Sequence, residues 1–400
     1  MNRFLIFCFV FLQFGTFVEV LHAQNPDKAE ITPIIKDFGK GITYINSDST
    51  LSTSFRFRTQ LRGNFLYDDD ELQIDGLFRR FRFRLDGFLL SPQFTYAFQF
   101  HLADADFGSQ FTTTHGSNRT VIRDANFSYL FENGIQLTFG QGKLPAHRQR
   151  IISSGRLQFT DRSIAHSIFD IDRDFGIWFR HQTLLSESFY IREIFCFSGG
   201  EGRNQPIDSR GFSYTARLEF LPLGLFASGG DYFEGDLLRE NAPKISIAFV
   251  YSFNHQAVRS GGQVGFLINS PSDIHTLISD FLFKWQGFSF DGALFLRQRS
   301  PSALFTPSAF VFAGYGAHLQ SGYFFLDFWE GSVRYSFVTP NQDTRLYSPI
   351  QSEYSICLSR YIAGHSIKVQ SEFTLIRRRS ETQNQVQNLS TFRIQMEVGI

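Results

Sequence analysis

Cysteine is nearly absent from this chain, with three in 400 residues, the first of them, Cys8, inside an N-terminal apolar run. Cys196 and Cys357 are too few for a disulfide framework and lack the paired spacing of a metal site. Methionine occurs only twice. Charge is also scarce, at 19% of residues against roughly 25% in ordinary soluble domains, and the 38 basic and 38 acidic residues cancel. A chain without a bulk field is not drawn to nucleic acid or to an acidic membrane face, so any electrostatic function must be local. After residue 23 no apolar stretch approaches the 18 or so residues of a spanning helix. What is abundant is phenylalanine, 50 residues or about one in eight, in a chain whose mean hydropathy is only −0.14. Apolar and polar residues are therefore finely mixed, which excludes disorder, collagen and a coiled coil.

Arg3, the apolar run Phe4 to Phe14, and the stretch Val20-Leu21-His22-Ala23 predict a signal peptide over 1–23, cleaved after Ala23. Cys8 lies too early to accept a lipid at the cleavage point. Residues 24–50 then form a short periplasmic arm, too small for the plug of an energised transporter, and 51–400 form the body of the protein.

From Phe55 the sequence alternates: Phe55, Phe57, Thr59, Leu61, Gly63 and Phe65 against Arg56, Arg58, Gln60, Arg62 and Asn64. Period two is the signature of a strand. The rhythm recurs at Phe81, Phe83 and Leu85 against Arg80, Arg82 and Arg84, and at Phe94 to Leu102. Very short connectors, Ser91-Pro92 and Glu132-Asn133-Gly134, alternate with long ones, 103–118 and 144–173. Outer-membrane barrels are wired this way. Strands are predicted at 51–67, 77–90, 93–103, 119–131, 134–143, 174–184, 187–197 and 211–221. The second half adds 243–254, 273–285, 287–299, 309–324, 329–338, 348–360, 364–376 and 388–400. The total is sixteen, with Leu223 to Pro243 read as a long periplasmic connection; counting part of it as a strand would allow eighteen. The fold class is all-β, a transmembrane antiparallel barrel with a long inward-folded third loop. A β-sandwich is the soluble alternative, but its strands are usually shorter, with turn signals about every 8 to 12 residues, and lipid outside with water inside suits both faces at once. The last strand alternates to the chain end and finishes in Ile400, where barrel assembly signals usually carry an aromatic residue.

At Asp124-Ala125, Gly140-Gln141-Gly142-Lys143-Leu144-Pro145, Leu157 to Ser163 and Asp174-Phe175-Gly176, the chain resembles the phosphate-selective porin O and P family. The resemblance extends to Arg80 to Arg84, Arg217 to Pro222 and Arg334-Tyr335-Ser336. It implies a sixteen-stranded porin of the bacterial outer membrane, commonly a homotrimer, whose third long loop narrows the channel. Its partners would be small anionic solutes, outer-membrane lipid and the barrel assembly machinery.

Lipid-facing Arg or Lys costs about 2 to 4 kcal/mol at the midplane, so alternation turns Arg56, Arg58, Arg62, Arg80, Arg82 and Arg84 into the lumen. Inward neighbours on one strand stand about 6.6 to 7 Å apart and repel unless something negative lies nearby; passing anions would serve. Lys143, at the entry to the 144–173 connection, is a candidate for the constriction. That connection is far beyond ordinary loop length and carries His147, Arg148, Arg150, Arg156 and Arg162, with too much Ile and Phe to be merely solvated. The plain role for such residues is holding the loop to the wall. The acidic loop Tyr67 to Glu71 lacks defined cation-ligand spacing. No HExxH or G-x-S-x-G element occurs, so neither a metal, a cofactor nor an enzyme is expected. Three functions remain: an anion-preferring porin, for phosphate among others; an unselective diffusion porin; and a structural or adhesion barrel acting through its loops.

Overall fold

The computed structural model describes residues 32–35, 38–68, 71–103, 121–205, 211–300, 310–380 and 384–400. The expected signal peptide lies outside these residues, as do most of the 103–118 loop and Asp69 and Asp70 of the acidic loop.

A short hairpin, β1 (Thr32–Ile35) and β2 (Ile42–Ile45), precedes the barrel. The barrel begins with β3 (Leu51–Asp68), β4 (Glu71–Leu89), β5 (Ser91–His101), β6 (Ile122–Leu130) and β7 (Gln136–Lys143). After the long connection come β8 (Arg173–Ser186), β9 (Phe189–Ser198), β10 (Ser213–Leu221), β11 (Lys244–Arg259), β12 (Leu267–Trp285) and β13 (Phe288–Arg299). β14 (Gly314–Leu326), β15 (Trp329–Pro340), β16 (Ile350–Ala363), β17 (Ile367–Ser380) and β18 (Gln385–Gly399) complete it. Each of these sixteen strands pairs antiparallel with its neighbour, and β18 pairs with β3 from Leu389↔Asp68 to Gly399↔Arg58, closing the cylinder. β2 takes over the pairing with β3 at Phe55↔Ile42, where β18 has ended, and Ile400 exchanges backbone hydrogen bonds with Phe57 at the seam.

The burial pattern is inverted relative to a soluble protein. Gln60, Lys284, Lys368, Glu372 and Gln395 are at most 1% exposed, while Leu294 is 65% and Ile356 58% exposed. Lipid outside and a polar interior account for both faces; a sandwich would have buried the leucines instead. Outward rings pair across strands, as Phe57 does with Phe81 and Phe83 at 5.1 and 5.4 Å.

The alternation is not perfect, and the breaks matter. In β4, Gln60 pairs with Arg80 but Leu61 with Phe78, so Arg79 is an extra residue. In β6, Gln99 pairs with Asp124 but Phe100 with Ile122, which makes Arg123 the extra one. Such bulges reset the inside–outside parity and place two successive side chains on the lumen side. β4 also begins at Glu71, six residues before the expected start at 77. The connection 222–243 carries no strand, only a kinked 3-10 segment at Ala227–Tyr232.

Candidate permeation site

Residues 144–172 join β7 to β8 and contain two short helices, α1 (Arg148–Ile151) and α2 (Ile164–Ile168), the latter capped by the Ser163 hydroxyl accepting from the His166 amide at 3.1 Å. The segment carries the main apolar cluster of the protein. Leu144, Ala146, Ala165, Phe169 and Ile171 pack on Trp178, Cys196, Val250, Ile278, Ala293, Phe295 and Val338 of the wall. That cluster accounts for the Ile and Phe content of the connection.

An irregular segment must also satisfy its backbone polar groups. Wall cations donate to its carbonyls: Arg217 to Ala146 at 3.0 Å, Lys368 to Leu157 at 2.7 Å, Arg62 to Thr160 at 2.8 Å, Arg334 to Asp161 at 2.9 Å and Arg297 to Ile168 at 3.0 Å. Wall carboxylates accept from its amides: Asp280 from Arg148 at 3.0 Å, Glu372 from Thr160 at 2.6 Å and Glu353 from Ile164 at 2.8 Å. One connection therefore reaches β3, β10, β12, β13, β15, β16 and β17. At its tip, Asp161 accepts from Arg62, from Arg80 at 3.1 Å and from Arg79 at 3.2 Å. Burial would raise this carboxyl, but Arg79, Arg62 and Arg80 outweigh it and hold the group well below the ordinary carboxylate range.

Between this connection and strands β4 to β8 lies a cavity of about 720 Å³. Nine cationic side chains line it: Arg82 and Arg84 of β4, Arg123 of β6, Lys143 of β7, Arg173 and Arg180 of β8, and Arg150, Arg156 and Arg162 of the connection. Among the described residues of the lining two are carboxylates, Asp86 and Asp124, while Asp170 and Asp172, off the lining, pair with Arg150, and Asp172 also with Arg173. Asp86 accepts from Arg56 and Arg84, each at 2.9 Å, and Asp124 from Arg173 at 2.7 Å. Lys143 donates to the carbonyls of Ile151 and Ile152 at 2.9 and 3.2 Å, and Arg180 to Thr138 at 2.7 Å. Burial, then the charges of Arg56 and Arg84, pull Arg156 below the usual guanidinium value. Burial, opposed by Asp170 and reinforced by Arg173, Arg162 and Arg203, brings Arg150 down to about 9. Both directions describe positive charge crowded where water is limited.

The residues expected from sequence divide between two places. Arg82, Arg84, Lys143, Arg150, Arg156 and Arg162 line the cavity, and Arg56 shares Asp86 with Arg84. Arg58, Arg62 and Arg80 instead reach the long connection, Arg58 through Ser154 at 2.8 Å and the other two through Asp161. Asp161 thus supplies the negative charge near Arg80 that alternation alone left open. His147 and Arg148 lie away from the cavity. His147 contacts His166 at 2.8 Å and the Phe295 ring, and Arg148 binds Glu219, Ser246 and the Asp231 carbonyl. Arg79, Arg123, Arg173 and Arg180 were not anticipated. Arg180 follows the outward Phe175, Ile177 and Phe179 by strict alternation and was legible; Arg79 and Arg123 ride on bulges and were not. Among the described residues no group of three or more His, Cys, Asp or Glu could hold a metal.

The glycine motif has a local cause. Gly140 has φ +126°, and a Cβ there would stand 2.3 Å from the Ala125 carbonyl oxygen. Only glycine fits that backbone beside β6.

Among known proteins, the model of the family described as phosphate-selective porin O and P matches residues 55–229. No curated protein matches the chain by sequence. Solved structures share the fold at low identity. OmpF of Salmonella typhi is 9% identical with a TM-score of 0.54, covering 92% of this chain and 100% of its own. A loop L8 deletion mutant of OmpT, an outer membrane protein of Vibrio cholerae, is 9% identical with a TM-score of 0.53, covering 87% of this chain and 99% of its own. The outer membrane channel DcaP of Acinetobacter baumannii is 11% identical with a TM-score of 0.52, covering 87% and 97%.

Proposed function

We propose that this chain, whose residues 55–229 match the porin family model and whose fold is a closed sixteen-strand barrel, is a bacterial outer-membrane porin that conducts small anions, phosphate among them, through the arginine-lined cavity beside β4 to β8. The observation that carries the reading is the imbalance of nine cationic side chains against two carboxylates around about 720 Å³. A monovalent anion 4 Å from one cation gains about 1 kcal/mol in water and about 4 kcal/mol at an effective dielectric of 20. Narrowness therefore sets the preference, and in this reading the 144–172 connection is folded into the lumen and does the narrowing. Several of the cations already donate to a carbonyl, hydroxyl or carboxylate, so the path offers a series of shallow sites, as conduction requires. No covalent step is involved. A homotrimer, which the family resemblance implies, belongs to the same proposal and is tested by cross-linking in the membrane.

The test is the reversal potential of single channels in planar bilayers under a salt gradient. Wild type should select anions, and Arg82→Glu combined with Lys143→Glu should swing the potential toward cations. The swing should be large near 0.1 M salt, where screening extends about 10 Å, and muted near 1 M, where it falls to about 3 Å. An unmoved potential in an intact barrel would make the arginines wall fillers and leave an unselective diffusion porin. A barrel that never conducts would favour the adhesion reading.

A further inference from the structure

We propose that the connection 222–243, on the short-turn end of the barrel, forms the second wall of the aperture, and that Tyr232 lies on the conducting path. The proposal rests on the porin reading, because it concerns what narrows the passage. Connections at that end are otherwise tight: β4 to β5 turns at Leu90 alone, and β12 to β13 turns at 286–287. A connection of this length at such an end is generally functional.

Its side chains are not those of a solvated loop. Asp231, Glu234, Asp236 and Glu240 are all buried, and each has work to do on the barrel interior or within the connection. Asp231 takes the Arg192 guanidinium of β9. Lys284 of β12 donates to the Gly230 and Gly235 carbonyls at 2.8 and 2.6 Å. Arg239 donates to the Phe324 carbonyl of β14 at 3.0 Å, and Phe233 lies 4.8 Å from the His365 ring beyond β16. The segment therefore spans the lumen from β9 to the turn between β16 and β17.

It also meets the 144–172 connection. The Glu234 amide donates to the Arg156 carbonyl at 3.1 Å, the Glu234 carboxylate accepts from the Gln158 amide at 2.7 Å, and the Arg156 guanidinium sits 4.2 Å over the Phe233 ring. Two segments from opposite ends thus join, and the basic cavity lies beside them against β4 to β8. Tyr232 is the one residue of 222–243 on the lining of that cavity, with the Arg192 guanidinium 5.9 Å from its ring. Arg156, which also lines the cavity, is positioned by Phe233 directly next in sequence.

Thiol accessibility tests this without disturbing the docking. Tyr232→Cys is treated, during single-channel recording, with a methanethiosulfonate bearing either a sulfonate or a trimethylammonium group; Cys196 and Cys357 are buried, and wild type serves as the unreactive control. Modification should cut the conductance at least about twofold if the added group occupies the path. The sulfonate reagent should react about tenfold or more faster if the path steers anions. Block at equal rates would keep Tyr232 in the aperture and refute the anion preference, so the two readings fail separately. Complete modification, verified by mass, with unchanged current would overturn the proposal. Phe233→Ala is the second variant: it should raise conductance in a barrel of normal heat-modifiable mobility, and unchanged conductance there would equally overturn it.

Discussion

Asp161→Asn removes one charge, keeps the side-chain shape, and leaves three guanidinium groups, Arg62, Arg79 and Arg80, without their shared counter-charge. Hydrogen bonds to charged groups contribute about 1.5 to 3 kcal/mol each, but the Asp161 side chain is 27% exposed, so solvent screening reduces the total to about 3 kcal/mol. At 1.4 kcal/mol per factor of ten, that shifts the balance between docked and undocked tip by roughly 100-fold. The backbone anchors from Arg62 to the Thr160 carbonyl, from Thr160 to Glu372 and from Arg334 to the Asp161 carbonyl remain. The connection should therefore loosen without leaving the wall. The expected result is a barrel of normal heat-modifiable mobility, a noisier single-channel trace with brief larger openings, and new trypsin cuts at Arg156 or Arg162. Since the arginines hold the Asp161 carboxyl below its ordinary value against the effect of burial, its contribution is complete above about pH 4 and fades only as pH falls further. Wild type should accordingly stay quiet down to about that pH, whereas the variant is noisy throughout. Quiet, trypsin-resistant Asp161→Asn channels would refute the clamp.

Phe83→Arg should damage assembly far more than Arg82→Phe, because it places a charge in lipid at about 2 to 4 kcal/mol; equal loss of the heat-modifiable form would refute the facing of β4. Gly140→Ala should impair the β6–β7 pairing at Asn126↔Gly140, since the new Cβ meets a carbonyl oxygen at 2.3 Å from a φ of +126°. Strain of that kind costs about 1 to 3 kcal/mol, and an unshifted urea unfolding midpoint would show that the backbone adapts.

Alternation in sequence determined the strand count, the closure and which faces meet lipid, because the strand period of two is a local property and the bilayer enforces it on every strand. It also turned Arg82 and Arg84 inward, where they line the cavity together with Lys143 at the entry to the long connection. Some of the remainder was present in sequence but unread. The runs Ile194 to Phe197, Ala248 to Tyr251 and Leu294 to Leu296 are apolar on both faces, and these are strands against which the 144–172 connection packs. Arg79 and Arg123 were hidden for a different reason: a bulge moves one residue past its partner strand, and only the register between two strands reveals it. Which inward charges line the cavity and which hold the connection was decided only by the tertiary structure. Arg62 and Arg84 look alike in the alternating pattern, yet one ends on Thr160 and Asp161 and the other on Asp86. Sequence specifies the face a charge points to, while its partner depends on which distant segment packs against it.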